Sequence, residues 1–260
     1  MARRFTYYAN LAPSYDADAQ AFFTAASITD SGQKDAINTL VLGLKSASIW
    51  SKIPCIYPFI GGNSTSHSFN LKDPTKYQLT FFGGWTHSST GAKPNGTNAY
   101  ATTNFKPNTD YTNPTSNQGH GVYTNTNFIS ASYSIGVADS PNNAYMLMNY
   151  SGSFMVNGDI SGNANYVTTD SRGHSLIQKF SGSDVKTYKN AIQRGASAFS
   201  PNLKSTNLQF YLGAVNQDNV PIVYGPQNLC TIHMHNDLSV PDITNLYTLL
   251  FNYNTTLSRA

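Results

Sequence analysis

All 13 acidic residues of the 260-residue chain are aspartates, and there is no glutamate. Retaining glycoside hydrolysis needs two carboxyls roughly 5–5.5 Å apart. A strand supplies them two or four residues apart, because alternation then aims both at one groove. The only aspartates at i and i+2, Asp16 and Asp18, stand at a helix start. The expectation is therefore no enzyme and no cofactor. His233 and His235 fall on one face of an expected strand, with Asp237 two residues further on. Two imidazoles and a carboxylate can ligate a metal. No third sequence signature joins them, so ordinary strand-face histidines are the better reading and no metal site is assigned. His67, His87, His120 and His174 are scattered. The chain contains no Gly-x-Ser-x-Gly elbow and no glycine-rich phosphate loop.

Binding remains. Aromatic faces stack on sugar rings, and Asn and Ser side chains supply adaptable hydrogen bonds. Trp85 and His87, in a glycine-rich turn, are the first ligand-binding candidates. The competing reading buries Trp85 in the core, where large aromatics mostly sit. A second candidate is the N-terminal arm, where Arg3, Arg4, Phe5, Tyr7 and Tyr8 could anchor the protein to a neighbour.

The chain that carries these residues reads as mainly β. Charged residues are only 11 % of the chain and aromatics 13 %. Asn, Ser, Thr, Gly and Tyr fill the gap, which suits short strands joined by polar loops. A net charge of +3 without a basic cluster argues against a nucleic-acid partner. No run reaches the roughly 18 apolar residues of a membrane span, so no membrane insertion is expected. The first ten residues lack the apolar core of a secretory signal. Cys55 and Cys230 are read as two buried thiols rather than a disulfide framework.

Along the chain, residues 1–15 read as an arm and residues 16–49 as a helical segment packed on the body. Residues 50–238 read as a β-sandwich, and residues 239–260 as a C-terminal helix of the same domain. Asp16 or Asp18 caps a first helix to Ala26. Asp30 and Gln33 form a capping box before Ile37, Leu40, Val41 and Leu44, which recur at helical spacing. Strands are predicted at Ile53–Phe59, Ser68–Leu71, Tyr77–Phe82, Asn98–Thr102, Gly121–Thr124, Ser130–Val137, Tyr145–Tyr150 and Ser153–Val156. Further strands are predicted at Asn165–Thr168, His174–Phe180, Asp184–Lys189, Leu208–Val215 and Leu229–His235. Residues 83–96 read as turn-rich and 106–119 as a polar loop. Asn157-Gly158 and Ser181-Gly182-Ser183 read as hairpin turns. Ser239 and Asp242 make a capping box, and Ile243, Leu246, Tyr247, Leu250 and Phe251 form an apolar helical stripe.

Three stretches carry a family resemblance. The first is Trp50-Ser-Lys through Tyr57-Pro-Phe-Ile-Gly-Gly to Asn70-Leu-Lys-Asp-Pro. The second is Gly84-Trp-Thr-His-Ser-Ser-Thr-Gly with Pro94-Asn-Gly-Thr-Asn-Ala-Tyr-Ala-Thr-Thr. The third is Asp237-Leu-Ser, Asn245-Leu-Tyr and Asn254-Thr-Thr-Leu-Ser-Arg. Together, over roughly residues 17 to 259, they resemble the concanavalin A-like (lectin/glucanase, laminin-G-like) domain of tailed-bacteriophage structural proteins. The resemblance implies an antiparallel two-sheet jelly-roll sandwich, here with N-terminal helices and a C-terminal helix. It implies a non-enzymatic virion protein: a decoration, head-fibre or tail-associated subunit. Its partners would be other virion proteins and host surface glycans, and homo-oligomerisation is left open. The virion would be its location. Glucanases of this fold would carry Glu-x-Asp-x-x-Glu, which a chain without glutamate cannot match. The Asp/Asn calcium site of plant-type lectins is not intact either. The alternatives are a polysaccharide depolymerase on the same fold and a purely structural clamp between virion subunits.

Overall fold

The computed structural model describes residues 14–114, 116–130, 132–139, 143–150, 153–157, 166–181, 184–198 and 206–260. Arg3, Arg4, Phe5, Tyr7 and Tyr8 of the expected anchoring arm lie outside them, as do Gly158, Gly182 and Ser183 of the two expected turns. In chain order, α1 (Ala17–Ala26) and α2 (Ser31–Ser46) precede β1 (Cys55–Tyr57) and the short α3 (Ser64–His67). Then come β2 (Thr80–Phe82), β3 (Trp85–Ser88), β4 (Gly91–Pro94), β5 (Tyr100–Thr102) and α4 (Pro107–Asp110). The long strands follow: β6 (Gln118–Thr124), β7 (Ser132–Asp139), β8 (Asn143–Tyr150), β9 (Ser153–Asn157), β10 (Tyr166–Val167), β11 (Gly173–Ser181), β12 (Asp184–Lys189) and β13 (Ile192–Ala198). The last are β14 (Tyr211–Leu212), β15 (Val215–Gln217), β16 (Val220–Ile222), β17 (Leu229–Asn236) and α5 (Val240–Thr256).

The strands form two sheets. One runs β13-β12-β11-β6-β17-β4-β3, with β1 added beside β17. The other runs β10-β9-β8-β7-β14-β5-β2, with β15 and β16 attached. Alternation gives the first sheet an inner face (Val122, Ile177, Ile232, Met234) that packs against Ala101, Ile135, Val137 and Leu212 of the second. This is the expected two-layer sandwich. Among the described strand pairs, one departs from the expected antiparallel pattern: β15 runs parallel to β7. The cause is Gly213, whose φ of 73° turns the chain back after β14 has paired antiparallel with the same strand.

The outer face of the first sheet (Tyr123, Leu176, Tyr188, Cys230) is covered by the helices. Phe22 and Phe23 of α1, Ile37, Leu40 and Leu44 of α2, and Ile243, Leu246 and Leu250 of α5 close over it. Burying each such side chain contributes about 1.5–3 kcal/mol. The caps fall where the residue types demand them. Asp16 accepts from the Asp18 N–H, and Asp30 accepts from the Gln33 N–H. Ser239 and Asp242 form both bonds of their capping box, and Asp242 also reaches the Lys52 ammonium at 2.9 Å. Replacing Ser239 by Ala frees one N–H of the first turn, so Ser239→Ala is expected to lower stability by about 1 kcal/mol. A urea titration monitored by circular dichroism checks it; an unchanged midpoint would show that the cap does not matter.

Several sequence readings are corrected. Ser68–Leu71 is not a strand. Asn63 and Ser66 form a capping box that starts α3 instead, and the Asn70 side chain accepts from the backbone N–H groups of Ile56 and Lys72. The loop read at 106–119 contains α4, which opens on Pro107, and the start of β6. The turn-rich 83–96 stretch holds the β3–β4 hairpin, whose Trp-Thr-His-Ser and Gly-Ala-Lys-Pro lack apolar alternation. The Leu208–Val215 run splits at Gly213, and β13 and β16, which lack apolar periodicity, are further strands. Cys55 and Cys230 are buried free thiols, each in a different core cluster. Among the described residues, no helix is long and apolar enough to cross a membrane.

Candidate functional site

Both sheets end on the same side of the sandwich, because β2 and β3 are edge strands joined only by Gly83 and Gly84. Gly83 has φ 74°, and a Cβ there would stand 2.2 Å from the Asn98 carbonyl oxygen. Only glycine therefore lets the chain cross from one layer to the other so closely.

Trp85 and His87 sit at this join. The Trp85 indole N–H donates to the carbonyls of Phe82 (3.1 Å) and Tyr100 (3.2 Å). Its ring meets Phe81 edge-on at 5.1 Å and stacks on His87 at 6.1 Å. Trp85 is half-buried against the inter-sheet core, tying β3 to the β2–β5 pair. His87 Nδ1 lies 2.9 Å from His67 Nδ1 on α3. Burial, and after it the neighbouring His87, pushes His67 down to about 3, and burial also lowers His87. The pair is therefore uncharged at neutral pH.

In front of this cluster runs an open groove of about 510 Å³ between α3 and the free edge of β2. Ser64, Thr65 and Ser68 form one bank; Gln78, Leu79, Thr80 and Phe81 form the other, with Asn104 among the lining. Gln78 donates to Ser68 Oγ at 3.0 Å, and Asn104 to the Gln78 carbonyl at 3.2 Å. Hydroxyls, amides and two apolar side chains line it, with no charged group. Phe81 belongs to both features, so Trp85 and His87 stand behind the groove wall.

Beside the groove an aromatic row crosses the outer face of the second sheet. Phe82 stacks on Tyr100 at 4.9 Å with planes 13° apart, and Tyr100 meets Tyr211 at 5.0 Å. Tyr100 has an aromatic on each side, whereas Phe82 ends the row and is 41 % exposed. Among the described residues its other face has no aromatic neighbour. Phe82 is absent from the sequence-based candidates, yet the sequence carries a signal for it: Phe81 and Phe82 are successive, so a strand must turn one of them outward.

The other histidines do not face solvent. His174, His233 and His235 form a chain on the outer face of the first sheet, beneath α5. His174 Nε2 lies 2.9 Å from His233 Nε2, and His233 Nδ1 lies 3.1 Å from His235 Nδ1. Tyr247 of α5 stacks on His174. Gly119 and Gly121 make room: Cβ atoms there would stand 2.4 Å from His235 Nε2 and 2.5 Å from His233 Nε2. His120 points the other way, into the inter-sheet core against Phe210. Asp237 ends the strand with φ 44°. Among the described residues no group of three His, Cys, Asp or Glu side chains is arranged to hold a metal ion.

No family model matches the chain, and no curated protein matches it in sequence. Solved structures do match in shape. One reports that cell entry of botulinum neurotoxin type C is dependent upon interaction with two ganglioside molecules. It is 9 % identical with a TM-score of 0.59, covering 79 % of this chain and 53 % of that one. The binding domain of botulinum neurotoxin DC, in complex with rat synaptotagmin II, is 10 % identical with a TM-score of 0.56, covering 78 % and 52 %. Domain 4 of AbnA, a GH43 extracellular arabinanase from Geobacillus stearothermophilus in complex with arabinotriose, is 17 % identical with a TM-score of 0.48, covering 75 % and 98 %. The two toxin structures share the β-sandwich fold with this chain, which spans about half the length of each.

Proposed function

We propose that the chain is a non-enzymatic glycan-binding module of a bacteriophage virion, using the groove along β2 to adhere to host surface glycans. The carrying observation is the groove itself: hydroxyl and amide side chains beside an exposed aromatic face, with no carboxylate in the lining. Hydroxyl-rich ligands are held by such groups, and the aliphatic face of a sugar packs on an aromatic ring. Cleavage would need two convergent carboxyls, and the lining offers none. One neighbouring structure is named for interaction with two ganglioside molecules, which is in keeping with sugar binding on a similar sandwich. The phage assignment rests on the resemblance carried by the three stretches described above.

Two measurements test the reading. A glycan array with the purified chain is expected to give selective signals, and Phe82→Ala is expected to weaken them about tenfold, or about 1.4 kcal/mol. Proteomics of purified virions is expected to find the chain. A flat array removes the adhesion role, and absence from virions removes the particle. New reducing ends after incubation with host polysaccharide would instead favour a depolymerase.

A further inference from the structure

We infer that the groove along β2 selects neutral polysaccharide, bound without calcium, with one sugar stacked on the outward face of Phe82; this rests on the glycan-binding reading above. No Lys, Arg, Asp or Glu lines the groove. Behind its wall His67 and His87 are held neutral, chiefly by burial. A uronate, sialate or sulfate entering there would give up part of its hydration without meeting a cation in the lining. Calcium cannot supply that charge, because it takes about 6–8 oxygens, carboxylates prominent among them, and the lining has none.

Geometry then sets how the sugar lies. Tyr100 has an aromatic neighbour on each side and Tyr211 at the far end is buried, so the exposed face of the row is at Phe82. Thr80 shares the outward side of β2 with Phe82, about 7 Å back along the strand, and leads into the groove. A sugar stacked on Phe82 therefore has its next residues directed past Thr80 toward Gln78, Asn104 and Thr65. The groove is open to solvent, so a polymer can be gripped along its length rather than by its end.

The test uses the full chain with a neutral panel (dextran, laminarin, mannan, galactan) and an acidic panel (alginate, polygalacturonate, hyaluronate, polysialic acid), with and without EDTA at about 0.15 M salt. The expected result is binding to a neutral polymer only, unchanged by EDTA and weakened about tenfold by Phe82→Ala. Phe82→Leu, which keeps an apolar side chain without an aromatic face, should weaken it similarly, and melting curves confirm that both variants fold. Acidic preference, loss with EDTA, or insensitivity to both Phe82 variants overturns the inference while leaving glycan binding intact. Failure to bind either panel overturns both.

Discussion

Taken from pH 7 to pH 5, the protein is expected to lose a large share of its folding stability. His67, His120 and His233 are buried, and burial brings each down to about 3. His174 and His235 are displaced in the same direction, again by burial first. The unfolded chain binds protons at the ordinary value near 6.5, so below that pH it holds more protons than the fold. Stability is therefore full above about 6.5 and falls as pH drops toward 3. At pH 5 each histidine with a folded value near 3 costs about 2 kcal/mol, and three cost about 6, against a usual total of 5–15.

The geometry explains why the chain of imidazoles resists a proton. Three neutral rings satisfy both contacts if His235 Nδ1–H donates to His233 Nδ1 and His233 Nε2–H donates to His174 Nε2. That direction leaves a lone pair, not an N–H, at His235 Nε2, which has no hydrogen-bond partner and lies over Gly119. A proton added there would find no acceptor. Urea midpoints at pH 7, 6, 5 and 4 check the prediction. A constant midpoint between pH 7 and 5 would defeat it. The paired aspartates Asp16, Asp73, Asp170 and Asp242 are held below the usual carboxylate value, so their contribution is lost only below about pH 4.

Removing one guanidinium near the C-terminus is expected to have the next largest effect. Arg259 is 1 % exposed, and no acidic side chain pairs with it among the described ion pairs. Its two terminal nitrogens donate to the carbonyls of Phe59 (2.9 Å) and Pro58 (3.3 Å), and it lies over the Tyr253 ring at 5.1 Å. The Tyr253 hydroxyl donates to the same Pro58 carbonyl. Phe59 stands at φ 42°, and this clamp holds α5 against that constrained turn. Arg259→Ala removes two charge-assisted hydrogen bonds and leaves a cavity, for an expected loss of about 3–4 kcal/mol. Arg259→Lys keeps the charge but lacks the planar fork, so it should recover only part of the loss. Chemical denaturation of the three proteins decides; equal midpoints for Ala and wild type would show that the clamp carries no stability.

The helices show how far local chemistry reads through. Asp16, Asp30 and Ser239 cap because their side-chain oxygens reach backbone N–H groups two or three residues on, and the apolar spacing of Ile243, Leu246 and Leu250 puts all three on one buried face. Those are short-range facts, and so is the alternation behind most of the strands. The β3–β4 hairpin was illegible because its residues are held by partners far away: Gly91 packs its backbone on Leu229, and Trp85 bonds Tyr100. The groove was illegible for the same reason. Its banks, Ser64–Ser68 and Gln78–Phe81, become facing walls only when α3 folds back on β2.

The residues alone settled that this is a β body with helical ends and without glutamate, because periodicity and composition are properties of neighbouring positions. Only the tertiary structure decided that scattered His174 joins His233 and His235 under a helix, and that Phe82 faces outward while Trp85 wedges inward. Strand pairing sets those outcomes: register, twist and edge position join residues tens of positions apart, and local spacing carries no record of them.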